Sequence, residues 1–313
     1  MSAQGLGSRA IIGTFYNRLE GNDGMSWAGP ISSFFTSNQE SETYKWLGMA
    51  PSMREWIGGR EAKGFRENGV TIRNKQYEAT MQVLLDEIRR DKTGQVMARV
   101  NEMARKTNFH WAKLLTTLIE NAESTVCYDG QFFFDTDHSE ADSGTQSNDI
   151  TNAIVLKTAP TAAEMEQAIL DCIVQILGFK DDTGEPMNEE AQEFLVMVPT
   201  VFMKAAAAAI NNPVIVDSNG SRTNTVPTLG GFKITLAVNA RLTWTDRFAV
   251  FRTDTDTAAF IRQEEEGVKI AAQAEGSPEE FKNNRHLYGV SALRNVGYGF
   301  WQRACLKTFT TAV

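Results

Sequence analysis

The longest stretch of helical hydrophobic spacing lies between Gly94 and Glu123. Its apolar positions are Val96, Val100, Met103, Trp111, Leu115, Leu118 and Ala122. This period is typical of an amphipathic helix, and no Pro or Gly interrupts Gln95–Glu123. One helix of that length would span about 40 Å, whereas helices of compact domains average about 11–12 residues. No second stretch of similar length is evident, so the pattern predicts a strut and not one member of a helical bundle.

The segment that leads into this helix alternates between apolar and polar residues. A turn signal at Glu67–Gly69 precedes a loosely alternating run from Val70 to Val83, which is typical of a β-hairpin. Basic residues outnumber acidic residues between Arg60 and Val83, although the whole chain is acidic. Because a two-stranded hairpin is marginal alone in water, we expect it to rest on another surface. The pattern therefore favours a subunit that reaches over its neighbours.

The remaining pattern predicts short helices and strands, and hence an α+β fold. A capping box opens an amphipathic helix over Thr161–Leu177, and Thr200–Asn211 is Ala-rich and helical. The polar stretch Ala141–Asn152 predicts a loop. The predicted strands are Phe194–Val198, Val214–Asp217, Phe232–Val238, His286–Leu293 and Phe300–Phe309. The late strands have no evident partners except the hairpin and the strut helix far upstream.

The N-terminal segment is rich in aromatic residues and shows no long periodicity. Trp27, the Phe34–Phe35 pair and Trp46 are too dense for a disordered segment, since disorder is poor in aromatic residues. We expect an extended arm that docks through these side chains onto another subunit. An irregular cap on the chain's own core is the alternative.

Composition narrows the class of protein. The 313 residues suffice for one large domain or two to three subdomains. A formal net charge of −8 argues against a dedicated nucleic-acid binder. No signal peptide and no run of about 18 apolar residues is present, so we expect a soluble, non-exported protein without a membrane partner. Cys127, Cys172 and Cys305 are too few and too far apart for a disulfide framework or a zinc site.

The sequence contains no known catalytic signature, and we predict neither catalytic residues nor a cofactor. The strongest metal-site candidate is the cluster of Asp135, Asp137, His138 and Glu140, because alternating carboxylates and a His could bind a divalent cation. A polar turn after a buried strand explains the same residues. No second ligand cluster with matching spacing exists, so the expectation is that the chain binds no metal.

Four motifs in collinear order resemble a known family. They are REWIGGR at Arg54–Arg60, TIRNKQYEAT at Thr71–Thr80, YDGQFFFDTDH at Tyr128–His138 and NVGYGFWQ at Asn295–Gln302. With the aromatic N-terminal segment and the strut helix between them, they resemble the major head subunit of Mu-like tailed phages and prophages. The similarity extends over nearly the whole chain.

The resemblance implies the Hong Kong 97-type capsid fold, which consists of an N-terminal arm, an extended hairpin loop, a peripheral domain built on a long spine helix, and an axial domain. The implied boundaries are 1–55 for the N-terminal arm, 56–90 for the extended loop, 91–150 with 260–292 for the peripheral domain, 94–123 for its spine helix, and 151–259 with 293–313 for the axial domain. Many relatives carry a cleaved scaffolding segment at the N-terminus. This chain shows none, so we expect scaffolding to be a separate protein.

The implied function is structural. Hexamers and pentamers of the chain would close an icosahedral head around double-stranded DNA, with a portal and with only weak, sequence-independent contact to phosphates. The protein would belong to the virion and be assembled in the cytoplasm of the host bacterium. An encapsulin-like nanocompartment shell is the alternative on the same fold, and a metal-dependent enzyme built on the Asp135–Glu140 cluster is a less favoured one.

Charge predicts one candidate contact between subunits. We expect the basic hairpin to lie on an acidic surface of a neighbour. Neither the hairpin nor the aromatic C-terminal segment is expected to have a resting place on its own chain. Each exposed ion pair would contribute only about 0–1 kcal/mol, but many copies add. The candidate residues are Arg60, Lys63, Arg66, Arg73 and Lys75 on the hairpin, and Glu264, Glu265 and Glu266 on the acidic surface.

Overall fold

The computed structural model describes residues 7–21, 23–45, 69–90, 94–217 and 220–312. Within these ranges the chain is α+β, as predicted, and two larger sheets dominate it. The helices are α1 Ser8–Leu19, α2 Met25–Ala28, α3 Leu85–Arg90, α4 Gln95–Glu120, α5 Ala162–Leu177, α6 Met203–Asn211, α7 Thr225–Thr228 and α8 Pro278–Asn283. The strands are β1 Ser32–Thr36, β2 Ser41–Tyr44, β3 Val70–Arg73, β4 Lys75–Leu84, β5 His138–Ser139, β6 Thr145–Gln146, β7 Asp149–Ile154, β8 Glu193–Val198, β9 Val214–Asp217, β10 Gly220–Thr223, β11 Lys233–Val238, β12 Arg247–Arg252, β13 Phe260–Gln273, β14 Arg285–Tyr298 and β15 Ala304–Thr311.

The long helix predicted from hydrophobic spacing is confirmed as α4. It begins after Gly94, whose φ of 73° is in the left-handed region that glycine tolerates best. Val100, Leu115 and Ile119 on its apolar face are buried. The face packs on α1 and α2 and crosses β14, so α4 lies along one sheet instead of joining a helical bundle.

The first larger sheet has the strand order β1-β13-β14-β4. The long strands β13 and β14 are antiparallel, β1 adds to β13 in parallel, and β4 adds to β14 with Lys75 opposite Arg294 and Leu84 opposite Arg285. The expected pairing of the late strands with the upstream segment is therefore confirmed for β14.

The strand character predicted for Val70–Val83, the described half of the hairpin, is confirmed by β3 and β4, but the expectation that this segment has no resting place on its own chain is wrong. β4 pairs with β14 of its own chain, and β3 pairs with β2, so Val70–Leu84 rests on its own body. The reason is that Met81 and Val83 face the helices, where Val83 is fully buried beside Ile11 and Val100. The other half, with Arg60, Lys63, Arg66 and the predicted turn, lies outside the described residues.

The second larger sheet has the strand order β11-β8-β12-β15-β7. The predicted strands Phe194–Val198 and Phe232–Val238 are confirmed as β8 and β11, and the predicted helix Thr161–Leu177 is confirmed as α5, which packs on β12 and β15. The predicted loop over Ala141–Asn152 is wrong at its end, because Asp149–Ile154 forms the edge strand β7 beside β15.

The expectation that the aromatic C-terminal segment lacks a place on its own chain is wrong. β15 lies between β12 and β7, and Trp301 and Phe309 are almost completely buried. Gly297 and Gly299 of the preceding NVGYGFWQ motif allow neighbouring atoms to pack closely. A Cβ at Gly299 would lie 2.6 Å from the carbonyl oxygen of Ala258, and one at Gly297 would lie 2.3 Å from Ile72 Cδ1. Only glycine fits at either position without displacing its neighbour.

The expectation of an extended N-terminal arm is wrong for the described part of residues 8–36. Residues Ser8–Leu19 form α1, in which Ile11 and Phe15 are fully buried against the spine helix and the first sheet. Ile11, Phe15 and Leu19 recur at intervals of four, a helical signal that the surrounding Gly and Asn obscured. This segment caps its own core, as in the alternative, but with regular structure.

Candidate subunit interfaces

The predicted basic residues that the structure describes lie at the break between β3 and β4. Arg73 forms an exposed ion pair with Glu40 of the same chain, and Lys75 is exposed. Between them Asn74 is buried, and its Nδ2 donates to the carbonyl oxygen of Gln39 at 2.8 Å. Arg73 and Lys75 therefore point outward from a fixed piece of backbone.

The predicted acidic surface lies on β13, where bulges interrupt its pairing with β14. Glu265 accepts a hydrogen bond from Asn74 Nδ2 at 3.2 Å, and Glu266 pairs with Lys269 at 3.1 Å. Glu264 lies 3.9 Å from Arg294. The structure thus brings positions 73–75 and 264–266 together within one chain, and gives each of the three carboxylates a partner there.

All three glutamates are half-buried, and the side chain of Glu264 is less exposed than that of Glu266, at 20 % against 45 %. Burial raises the pKa of the Glu264 carboxyl, and the guanidinium groups of Arg294 and Arg262 act in the opposite direction. A carboxylate held in this way is a poor acceptor for a basic loop from outside, since its charge already faces two cations.

The candidate metal cluster does not converge on a common point. His138 is fully buried and stacks on Trp301, with ring centroids 4.0 Å apart. Its Nδ1 lies 2.6 Å from Asp129 Oδ2, and its Nε2 lies 3.2 Å from Asn148 Oδ1. Both ring nitrogens are therefore engaged by protein oxygens, which leaves neither for a metal ion.

The carboxylates of that cluster serve other purposes. Glu140 accepts hydrogen bonds from the hydroxyl of Tyr128 at 2.5 Å and from Gln302 Nε2 at 3.0 Å. Asp135 accepts from the backbone N–H of Phe132 at 3.1 Å. Within the described ranges no three His, Cys, Asp or Glu side chains are placed to hold a metal ion. This arrangement of His138, Glu140 and Asp135 contradicts the alternative that the cluster forms the metal site of an enzyme.

These buried polar groups form the junction between the two larger sheets. Tyr128 and Glu140 precede the second sheet, and Gln302 lies in the short connection from β14 to β15. Burial, followed by the nearby Glu140 carboxylate, raises the pKa of Tyr128 well above its usual value, so the phenol stays a hydrogen-bond donor. The junction is therefore a closed hydrogen-bond network and not an open site.

Sequence reasoning missed several apolar side chains on the surface. Phe281 is 91 % exposed on α8, which caps the tip of the β13–β14 hairpin. Val216 on β9 is 75 % exposed and Val155, directly after the edge strand β7, is 83 % exposed. Exposed apolar groups of this kind mark interaction surfaces where they cluster. Phe281 could have been suspected from its isolation in the charged stretch Pro278–Asn283.

Two grooves flank the spine helix. One, of about 770 Å³, lies between α4 and the edge strand β4 and includes Tyr77 and His110. The other, of about 570 Å³, lies between α1, β1, α4 and β13 and includes Phe34 and Trp111. Arg294 lines both. In the part of the chain that the structure describes, no helix is both long and apolar enough to cross a lipid bilayer.

Comparisons with known proteins agree on one family. The family model described as Mu-like prophage major head subunit gpT matches residues 13–165 and 243–310. The chain is 31 % identical over 144 residues to the "Mu-like prophage FluMu major head subunit" of Haemophilus influenzae, an alignment that covers 45 % of this chain and 46 % of the relative. It is 30 % identical over 132 residues to the "Major capsid protein" of Escherichia phage Mu, covering 42 % of this chain and 43 % of the relative. These alignments span just under half the length of the relatives.

The fold has a solved counterpart. The structure titled "Procapsid of bacteriophage JBD30 computed in I4 symmetry" superimposes with a TM-score of 0.54 at 22 % sequence identity, and covers 97 % of this chain and 76 % of the other. This similarity establishes the Hong Kong 97-type capsid fold, as the sequence motifs led us to expect.

Proposed function

The chain belongs to the Mu-like prophage major head subunit gpT family, and from this premise we propose that it is the major capsid protein of a Mu-like tailed phage. Its copies would assemble as hexamers and pentamers into the icosahedral head that encloses the double-stranded DNA genome. The family consists of structural head subunits and not of enzymes. The observation that carries the proposal is the family match over the first larger sheet, the spine helix and the strands β7, β12 and β15 of the second sheet.

The surface of the described chain supports self-assembly. The first sheet ends in β1 and β4, and the second ends in β11 and β7, so four strand edges lack a further strand among the described residues. Open edges promote pairing with other chains, and monomeric proteins usually protect them. Together with the exposed Phe281, Val155 and Val216, they are the surface expected of a subunit that neighbours cover.

We assign the domains by the same family relationship. The N-terminal arm is placed at 1–55, the extended loop at 56–90, the peripheral domain at 91–150 with 260–292, and the axial domain at 151–259 with 293–313. The two sheets support this division, because the first is built largely from β13 and β14 and the second from strands between 149 and 311. The packing of α1 on α4 argues that the arm also stabilises its own peripheral domain.

The partners follow from the shell. A separate scaffolding protein and a portal would take part in assembly, and contact with packaged DNA would be weak and sequence-independent, since the chain carries a net charge of −8. Phage capsid proteins are components of the virion, and assembly would take place in the cytoplasm of the host bacterium.

Electron microscopy tests the proposed function. Purified chain, concentrated alone and together with the scaffolding protein encoded beside it, should form closed particles of uniform diameter. Particles from lysed host cells should contain the chain as their most abundant protein and should protect double-stranded DNA from nuclease. A protein that remains monomeric at every concentration, with and without the scaffolding protein, would contradict the proposal, and particles filled with enzyme instead of DNA would favour the encapsulin-like alternative.

The charged contact between subunits remains part of the proposal. Arg60, Lys63, Arg66, Arg73 and Lys75 would lie on an acidic surface of a neighbour, of which Glu264, Glu265 and Glu266 are the candidates. The exposed position of Arg73 and Lys75 supports the basic side of this contact. The own-chain partners of the three glutamates leave the acidic side less well supported.

Charge reversal tests the basic side. We expect Arg73→Glu with Lys75→Glu to reduce particle yield severalfold without changing the melting temperature of the isolated chain, because surface ion pairs contribute only about 0–1 kcal/mol each within a monomer. Lys180→Glu with Lys204→Glu is the matched control, since both lysines are exposed elsewhere. Normal particles from the first double variant would end this part of the proposal.

A further inference from the structure

The groove between α1, β1, α4 and β13 combines aromatic walls with cationic side chains. Its cavity of about 570 Å³ includes Phe34 and Trp111 as well as Arg262 and Arg294. Phe34 is 45 % exposed. The groove is open at the surface, whereas its cationic floor is buried.

Arg262 lies against the aromatic wall without an ionic partner. Its guanidinium carbon is 5.3 Å from the centre of the Phe34 ring and 5.6 Å from that of Trp111. Its Nε donates to Ser32 Oγ at 2.7 Å. Within the described ranges no carboxylate forms an ion pair with it. Burial lowers the pKa of Arg262, which indicates that the loss of solvation is not fully offset.

Arg294 is the second cation, and it is more deeply buried. Its side chain is 4 % exposed and lies 4.7 Å from the centre of the Trp111 ring. One terminal nitrogen donates to the carbonyl oxygen of Thr107 at 3.2 Å. Its Nε is buried and has no hydrogen-bond partner in the described chain. A buried donor without a partner costs stability, so its presence needs an explanation.

The local charge is not balanced. Glu264 is the carboxylate closest to Arg294, at 3.9 Å, and it acts on Arg262 only at longer range. The buried Arg294 and the half-buried Arg262 therefore share Glu264, and Glu20, the other carboxylate that lines the groove, forms no ion pair with either of them within the described ranges. Cations out of water require an opposite charge at close range, and a second carboxylate could form the paired hydrogen bonds that guanidinium groups favour. The aromatic walls would bury the apolar part of the same ligand.

We infer that this groove binds an acidic side chain, flanked by apolar residues, from a second copy of the chain. The inference rests on the proposed function and names one contact of the shell. Charge complementarity supports a second copy as the occupant, because the chain has 39 acidic against 31 basic residues and so offers an excess of carboxylates. In this groove the direction of pairing is opposite to the one expected from sequence, because an acid would lie beside Glu264; this leaves Glu265 and Glu266 for the proposed contact with the basic loop.

Photocrosslinking tests the inference on assembled particles. The crosslinking residue p-benzoylphenylalanine replaces Phe34, whose ring already lines the groove, and particles are assembled from an equal mixture of ¹⁴N-labelled and ¹⁵N-labelled chain. Mass spectrometry should find crosslinked peptides of mixed isotope composition whose second partner contains Asp or Glu. Crosslinks only within one copy, crosslinks to another protein or to DNA, or no crosslinks at all would overturn the inference.

A charge variant sharpens the result. In the Phe34-substituted chain we expect Arg262→Gln to reduce mixed-isotope crosslinks about tenfold, the factor that corresponds to about 1.4 kcal/mol. Arg105→Gln is the matched control, because Arg105 is an exposed arginine of α4 that pairs with Glu102 outside this groove, and it should leave the crosslinks unchanged. Equal crosslinking in both variants would contradict a role for Arg262. The mapping itself does not depend on whether the Arg262 variant folds.

The two proposals fail separately. Normal particles without mixed-isotope crosslinks would overturn the inference and leave the proposed function intact. Absence of particles from the unsubstituted chain, under every condition of the microscopy experiment, would contradict the proposed function and the inference with it.

Discussion

Buried polar side chains hold the junction of the two larger sheets. Tyr128, Glu140 and Gln302 bond to one another, and His138 is fixed between Asp129 and Asn148. From sequence, His138 and Glu140 were candidates for a metal site, although a polar turn was the expectation, because spacing shows which residue types are near each other but not where their side chains point. The structure shows that both side chains belong to a hydrogen-bond network.

Removing one donor tests the energetic role of the junction. We expect Tyr128→Phe to lower the free energy of unfolding by about 1–3 kcal/mol, because Glu140 would lose a buried donor. Chemical denaturation monitored by fluorescence measures this change. Tyr16→Phe is the control, since Tyr16 is 38 % exposed and its hydroxyl accepts only one long, exposed hydrogen bond, from the Ile270 N–H at 3.3 Å, so that losing the hydroxyl should change stability by about 0.5 kcal/mol or less. Equal effects of the two substitutions would contradict the assignment.

His110 should make stability depend on pH. Burial, followed by Arg294 and Lys113, lowers the pKa of His110 from 6.5 to about 4 in the folded chain. Between these values the unfolded chain binds the extra proton, so stability falls as the pH falls from 6.5 towards 4. We expect His110→Gln to reduce the slope of stability against pH in this window. An unchanged slope in denaturant titrations across the window would refute the role of His110.

At the scale of elements, local signals predicted helices better than strand partners. The spine helix and α5 follow from periodic spacing and, for α5, from a capping box at Thr161 that the structure shows in full. β4 was recognised as a strand, but its partner β14 lies some two hundred residues away, and no local pattern identifies such a partner. α1 was missed because Ile11, Phe15 and Leu19, which mark its helical period, stand among residues of weak helix propensity.

The capping box of α5 offers a direct test of that local signal. Thr161 Oγ1 accepts from the backbone N–H of Glu164 at 3.2 Å, and the Thr161 N–H donates to the Glu164 carboxylate at 2.7 Å. We expect Thr161→Ala to lower the free energy of unfolding by about 0.5–2 kcal/mol. Thr117→Ala, on the exposed face of α4, should be close to neutral. Thermal melts of both variants check the difference, and a neutral Thr161→Ala would refute it.

At the scale of the whole molecule, the described chain is self-contained in its core and incomplete at its surface. Both larger sheets are packed, and the C-terminal strand lies inside one of them. Within the described ranges, the β3–β4 segment and the C-terminal strand therefore both lie on their own chain. The proposed contacts between copies would instead involve open strand edges, exposed apolar side chains and the groove that Arg262 and Arg294 line.

Phe281 tests this view of the surface. Because its side chain is 91 % exposed, we expect Phe281→Ser to change the stability of the isolated chain by about 0.5 kcal/mol or less. Particle formation should instead fall severalfold, since α8 holds this ring at the tip of the longest hairpin. Light scattering of assembly and a thermal melt separate the two effects. Unimpaired assembly would show that the tip is not a contact between copies.

The sequence by itself determined the family, the spine helix and α5. It also determined those strands of the second sheet whose residues form a continuous apolar run. These follow from motifs and from periods of a few residues, which depend only on neighbouring positions. Tertiary structure alone decided the register of β4 on β14, that residues 8–19 form a helix on the spine and that β15 lies inside a sheet. Pairing between distant segments depends on which surfaces come into contact on folding. Phe15 and Phe309 are buried because such distant segments pack on them.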